Sequence, residues 1–240
     1  MEIDLAKYNV EIQNAVKYFW ETRKNQQKKQ VAGNVTDQGN RGAVTGGQQM
    51  NGFLELLTKI CNDLGIQNNS IYTKNNHLPG FFRPTKDWDF IVLSPNNELI
   101  AVIELKSQVG SFGNNFNNRA EEAIGSAVDL WTSYKWKSFP DQMPPWVGYL
   151  ILVEKTEKST SPVSIYEPYF KVRNEFHNTS YIQRYNLLCK KLMTERHYSG
   201  ACLLWSTSNF SYGSVDTITS LDNFLLSFIA FLLSKKDIFK

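Results

Sequence analysis

The chain has 240 residues, of which 42% are hydrophobic and 13% aromatic, enough to furnish a sizeable core. Its net charge of +3 permits a polyanionic partner bound through a local basic patch without demanding one. Three widely spaced cysteines (Cys61, Cys189 and Cys202) with no Cys-x-x-Cys argue against a disulfide framework or a thiolate zinc site and suit a reducing cytoplasm. The longest apolar run, residues 224–233, is too short to cross a bilayer, and no signal peptide is visible, so a soluble intracellular protein is expected.

Residues 2–30 predict a helix, with Leu5, Tyr8, Ile12, Ala15, Val16, Phe19 and Trp20 near helical spacing. Residues 31–51 are polar and Gly-rich, long for a loop within a compact domain and thus expected to be functional or disordered. A helix over 52–64 follows, stopped by Gly65. Ile71-Tyr72 reads as a short strand and 77–86 as a Pro/Gly-punctuated loop. Residues 90–93 and 99–103 are nearly continuous β-formers, the pattern of strands buried on both faces. A polar loop then leads to a helix over 120–136, a strand over 146–153, a helix over 181–198, a strand over 201–205 and a helix over 221–233. This order implies an α/β fold in which a mixed central sheet is covered by helices on both faces. No shift of composition marks a boundary, so a single domain over 1–240 is expected, with 1–51 extending the core.

The stretch from Trp88 to Lys106 carries the chemistry. With Asn96-Asn97 as a two-residue turn, paired residues have numbers summing to 193, which sets Asp89 opposite Glu104. Directly opposed residues have Cβ atoms roughly 4.5–5.5 Å apart, close enough for two carboxylates to share a divalent cation. Lys106, two residues beyond Glu104, points to the same face. A solvated ion pair explains such a cluster about as well on spacing alone. The cluster nevertheless ends the most apolar strand, where an unpaired carboxylate is costly. Other chemistry finds little support. The Gly46-Gly47 region lacks the Gly-Lys-Ser/Thr of a phosphate loop. His77, His177 and His197 follow no metal-ligand spacing, and no nucleophile elbow is present. Residues 111–119 set four asparagines around Phe116 before Arg119; such side chains can read base edges or simply cap a helix.

Asp89…Glu104-Leu105-Lys106 on adjacent strands is similar to the signature of the PD-(D/E)XK nucleases. The surrounding phrases are more specific. Val44-Thr45-Gly46-Gly47-Gln48-Gln49-Met50-Asn51-Gly52-Phe53, Leu78-Pro79-Gly80-Phe81-Phe82-Arg83-Pro84-Thr85-Lys86, and Lys106-Ser107-Gln108-Val109-Gly110 followed by Phe112 through Arg119 resemble the XhoI family of type II restriction endonucleases. So do Glu167-Pro168-Tyr169-Phe170 and Ser180-Tyr181…Arg184-Tyr185. The resemblance runs over about residues 15–205, departing at Asn51, where an acid is expected, and at Gly110-Ser111, where a longer turn is usual.

The resemblance implies a restriction-endonuclease-like core and a cytoplasmic enzyme of a restriction-modification system. It would act as a homodimer on double-stranded DNA at 5′-CTCGAG-3′, cutting after the first C to leave four-base 5′ overhangs. A methyltransferase of the same system would protect the host. Asp89, Glu104 and the Leu105 carbonyl would hold Mg²⁺, Lys106 would orient the attacking water, and Glu55 is the candidate fourth acid. Arg41, Gln48, Gln49, Arg83, Lys86, Asn114, Asn115, Asn117, Asn118 and Arg119 are the candidate DNA contacts. The alternatives are a non-cutting DNA-binding protein of the same fold, or a nuclease of this superfamily acting on another DNA substrate.

Overall fold

Continuous apolar runs without polar alternation force a strand to be covered on both sides, and the centre of this molecule is built that way. In the computed structural model, which describes residues 3–32 and 47–239, β5 (Leu99–Gln108) and β6 (Trp146–Glu154) are buried along nearly their whole length. They lie at the middle of a six-stranded sheet of order β1-β4-β5-β6-β7-β8. Here β1 is Ile71–Tyr72, β4 Phe90–Leu93, β7 Gly200–Ser206 and β8 Tyr212–Gly213. The β5–β6 and β6–β7 pairs are parallel and the outer pairs antiparallel, so the sheet is mixed. A separate antiparallel ladder pairs β2 (His77–Pro79) with β3 (Thr85–Asp87).

Among the described residues the long helices over the two faces are α1 (Asn9–Ala32), α2 (Asn51–Asp63), α3 (Phe112–Lys135), α4 (Tyr181–Thr194) and α5 (Leu221–Ser234). Phe19, Phe53, Leu57, Phe224 and Phe228 from α1, α2 and α5 pack with Phe90, Ile103 and Leu105 on one face. Ala127, Leu130, Tyr185 and Cys189 from α3 and α4 pack with Val102, Tyr149 and Ile151 on the other. Gly52 lets α1 and α2 cross closely, since a Cβ there would stand 2.7 Å from the Ala15 Cα. The three cysteines are buried free thiols.

The predicted mixed sheet with helices on both faces is what the chain adopts, but several local expectations change. The helix assigned to 120–136 begins at Phe112, so the asparagines lie in its first two turns instead of a loop. Left-handed Gly110 (φ 62°) and Ser111 (φ 45°) turn the chain into it. The 77–86 segment holds the β2–β3 ladder, and the 181–198 helix stops at Thr194. The hairpin turn also differs. Ser94 N–H donates to the Glu98 carbonyl, and Asn97, at φ 61°, donates back to the Ser94 carbonyl. The loop therefore has three residues and the pairing sum there is 192. A bulge then restores 193: Leu93 faces Leu99, but Val92 faces Ala101 and Phe90 faces Ile103. Ile100 is the extra residue, and it packs on the same face as Ala101.

Candidate active site

The ladder ends at Phe90, and Asp89 continues it with its side chain. The Asp89 N–H donates to the Ile103 carbonyl (3.2 Å), and its Oδ2 accepts the Leu105 N–H at 2.7 Å. The carboxylate thus takes the place of a backbone acceptor at the open end of β4. Glu104 is 3% exposed and engages two ammonium groups, Lys106 Nζ at 2.5 Å on Oε1 and Lys86 Nζ at 2.7 Å on Oε2. The expected trio is therefore brought together, with Lys86 as an added member.

The electrostatics follow from this crowding. Burial, and then the charge of Glu104, push the Asp89 carboxyl up to about 6, against the opposing pull of the Leu105 amide, Lys106 and Lys86. Burial disfavours the Lys106 ammonium, but Glu104, through charge and hydrogen bond, and then Asp89 and Glu122 outweigh it and hold its pKa above the ordinary lysine value. Two hard oxygen donors, one raised by burial and by the charge of the other, suit Mg²⁺, whose charge relieves that repulsion. The Leu105 carbonyl leaves the strand on the same edge as the amide bonded to Asp89, beyond the start of β4. Asp89, Glu104 and Leu105 therefore fit the ligand set expected from the sequence.

Two clefts meet at Lys106. One, of about 440 Å³, is bordered by Asp89, Leu105, Gln49, Asn115 and Arg119; the other, of about 540 Å³, by Phe82, Lys86, Glu104, Glu122 and Asp129. Asp129, buried on α3, clamps the lip of the second cleft. It accepts from the Phe81 and Phe82 amides at 2.8 and 2.9 Å and from Arg83 Nε at 2.7 Å. Burial would raise its pKa, but these donors win and hold it below the usual carboxylate value. Gly80 is required beneath the clamp, since a Cβ would meet the Arg83 carbonyl at 2.5 Å.

Other expected residues fall out differently. Glu55 is exposed on α2 and lines a separate cleft with Asn51, Lys59 and Lys74, so the structure does not bring it to either cleft at Lys106. Glu122, whose charge reaches Lys106, is the acidic neighbour instead. Gln49 is buried, its amide donating to Ser107 at 2.5 Å and accepting from Arg23 at 3.2 Å, so both ends of the amide are engaged within the protein. Arg83 is engaged by Asp129 through Nε alone, with its side chain 44% exposed, whereas Lys86 is buried against Glu104. Arg119 pairs with Glu122 at 2.7 Å. Gln48, Asn114, Asn117 and Asn118 are exposed, Asn115 partly so, and Arg41 lies outside the described residues. Sequence reading missed Lys86 as a partner of Glu104, because the β2–β3 ladder that delivers it has no apolar alternation.

The model of the family described as restriction endonuclease XhoI matches residues 28–216, which include every residue of this cluster. The chain belongs to the XhoI restriction endonuclease family. A type II restriction enzyme, BstVI, of Geobacillus stearothermophilus is 50% identical over 184 residues, covering 74% of this chain and 81% of that protein. The type II restriction enzyme XhoI of Xanthomonas vasicola is 43% identical, covering 80% of this chain and 78% of its own. The type II restriction enzyme AbrI of Azospirillum brasilense is 41% identical, covering 71% and 78%. No solved structure matches the chain. Among the described residues no helix is long and apolar enough to cross a membrane.

Proposed function

We propose that this member of the XhoI family is a Mg²⁺-dependent type II restriction endonuclease whose single domain acts as a homodimer. It cuts double-stranded DNA at 5′-CTCGAG-3′ after the first C and leaves four-base 5′ overhangs. The observation that carries this reading is the convergence of Asp89, Glu104 and Lys106 at the open end of the β4–β5 hairpin, within a chain of this family. The target and cut position rest on the resemblance of the residue phrases around that cluster. A two-fold site calls for a two-fold enzyme, each protomer supplying one active centre.

Asp89, Glu104 and the Leu105 carbonyl would hold Mg²⁺, which neutralises charge on the scissile phosphate and acidifies water. Lys106 holds the attacking water through its ammonium and adds positive charge beside the phosphate. Asp89 stays aimed because its other contact, the Leu105 amide, belongs to the strand that carries Glu104. Gln48, Asn114, Asn117 and Asn118 are the exposed candidates for DNA contact, and Asn115, in the first turns of α3, borders the cleft of Asp89. A methyltransferase acting on the same site would protect the host, and the enzyme would work in the cytoplasm.

The test is cleavage of a plasmid carrying one CTCGAG and of a matched plasmid lacking it, with Mg²⁺ or with EDTA, followed by sequencing of the ends. Metal-dependent cutting of the first plasmid alone, with the stated overhangs, is expected. A site-specific gel shift without cutting would overturn the catalytic reading in favour of a DNA-binding protein. Metal-dependent cutting elsewhere would overturn the target and keep the nuclease.

A further inference from the structure

Both oxygens of Glu104 are taken, and the two lysines that take them arrive by different routes. Lys106 comes from the same strand, two residues on. Lys86 comes from β3, 18 residues earlier and in a separate ladder. Its side chain is 11% exposed. Its ammonium also donates to the Asp87 carbonyl at 2.9 Å and lies 4.5 Å from the centre of the Trp88 ring. A surface lysine has none of these restraints, and long cationic side chains are seldom buried unless paired. Asp89 and Glu104 thus face Lys86 and Lys106, a balanced set before any metal arrives. A divalent cation approaching Glu104 meets Oε2 already occupied by an ammonium.

We propose that Lys86 is a built-in counter-ion that holds the Glu104 oxygen destined for the divalent cation and yields it when the cation binds. This rests on the reading of Asp89 and Glu104 as the metal ligands. Lys86 acts through Glu104 and is a positioning residue. It also borders the cleft formed with Phe82, Arg83 and Lys106, so once released its charge faces the space open to a DNA phosphate. Metal entry then leaves surplus positive charge in the cluster, which a phosphate neutralises. Cation and DNA each favour the other, and the free protein takes up the cation weakly.

The experiment is calorimetric titration of the DNA-free protein with Ca²⁺ and with Mg²⁺, comparing wild type, Lys86→Met, Lys86→Gln and Glu104→Gln. Both Lys86 variants are expected to bind the cation about ten- to hundredfold more tightly, the equivalent of one charge-assisted hydrogen bond no longer to be broken. In Ca²⁺, the salt dependence of their DNA binding is expected to be shallower by about one phosphate contact. Glu104→Gln is expected to lose the cation. If the Lys86 variants bind it no more tightly than wild type while Glu104→Gln loses it, the counter-ion role is overturned and the metal reading stands. If Glu104→Gln binds the cation undiminished, or wild type and Lys86 variants bind none, the metal reading fails and the counter-ion role with it. The Gln variant retains a hydrogen-bonding head for the Asp87 carbonyl should the Met variant fold poorly.

Discussion

Without metal, the Asp89 carboxylate should cost the fold stability, and Asp89→Asn should return it. Its carboxyl is displaced from the ordinary 3.8 to about 6, burial being the first cause and the Glu104 charge the second. A folded-state pKa above the unfolded value means that the folded protein holds the proton longer. The penalty is absent below about pH 4, grows as the unfolded carboxyl ionises first, and is full above about pH 6. Its size is about 3 kcal/mol, at 1.36 kcal/mol for each tenfold change in proton affinity. Asparagine keeps an oxygen for the Leu105 amide and carries no charge, so most of that energy should reappear. Denaturant unfolding in EDTA should find Asp89→Asn more stable than wild type by about 1–3 kcal/mol at pH 8 and indistinguishable from it near pH 4. Saturating Ca²⁺ should close the gap from the other side by stabilising only the wild type. A difference that is independent of pH, or a less stable variant at pH 8, would refute the electrostatic account of this site.

Glu104→Ala and Lys106→Ala should each abolish cleavage while circular dichroism stays native and a gel shift still detects specific binding; near wild-type cutting by either would remove it from the catalytic set. Asp129→Ala should cost about 1–3 kcal/mol, because it frees the Phe81 and Phe82 amides and Arg83 together, and thermal unfolding measures it. The same variant should raise KM more than it lowers kcat, since the lip of the cleft loosens while Asp89, Glu104 and Lys106 remain. Gly52→Ala should destabilise by about 1–2 kcal/mol despite alanine's better helix propensity, because the added methyl meets Ala15 backbone at 2.7 Å.

The buried strands and the apolar helix faces were legible because burial on both faces or on one writes a period into the sequence. Asp89, Glu104 and Lys106 were legible because a hairpin is local and its alternation fixes which side chains share a face. The turn was misread, as two residues in place of three, yet the bulge at Ile100 compensated and the predicted pairing held beyond it. The start of α3 was hidden by its composition, since Gly113 and four asparagines are poor helix formers and tertiary packing of Phe112 and Phe116 overrides them. What could not be read was non-local. Glu55 lies on an ordinary amphipathic helix whose sequence does not say which cleft its polar face borders. Gln49 lies beside exposed Gln48 in sequence but is buried by Arg23 and Ser107 from distant elements. Lys86 reaches Glu104 only because a second ladder folds over the first.

The extra residue at Ile100 is slack between the turn and the paired part of β5. Upstream of it the pairing sum is 192 and downstream 193, while the faces from Ala101 to Gln108 are held by pairing with β4 and β6. Deleting Ile100 would join Leu99, opposite Leu93, directly to Ala101, opposite Val92, so the ladder would become regular and Glu104 and Lys106 would keep their face. Within this lineage, single-residue gains and losses should therefore collect at Pro95–Asn97 and at Ile100, where they leave the pairing of Asp89 with Glu104 unchanged. A change between Ala101 and Glu104 has no such slack: it would turn Glu104 and Lys106 to the opposite face, so that short stretch should keep its length.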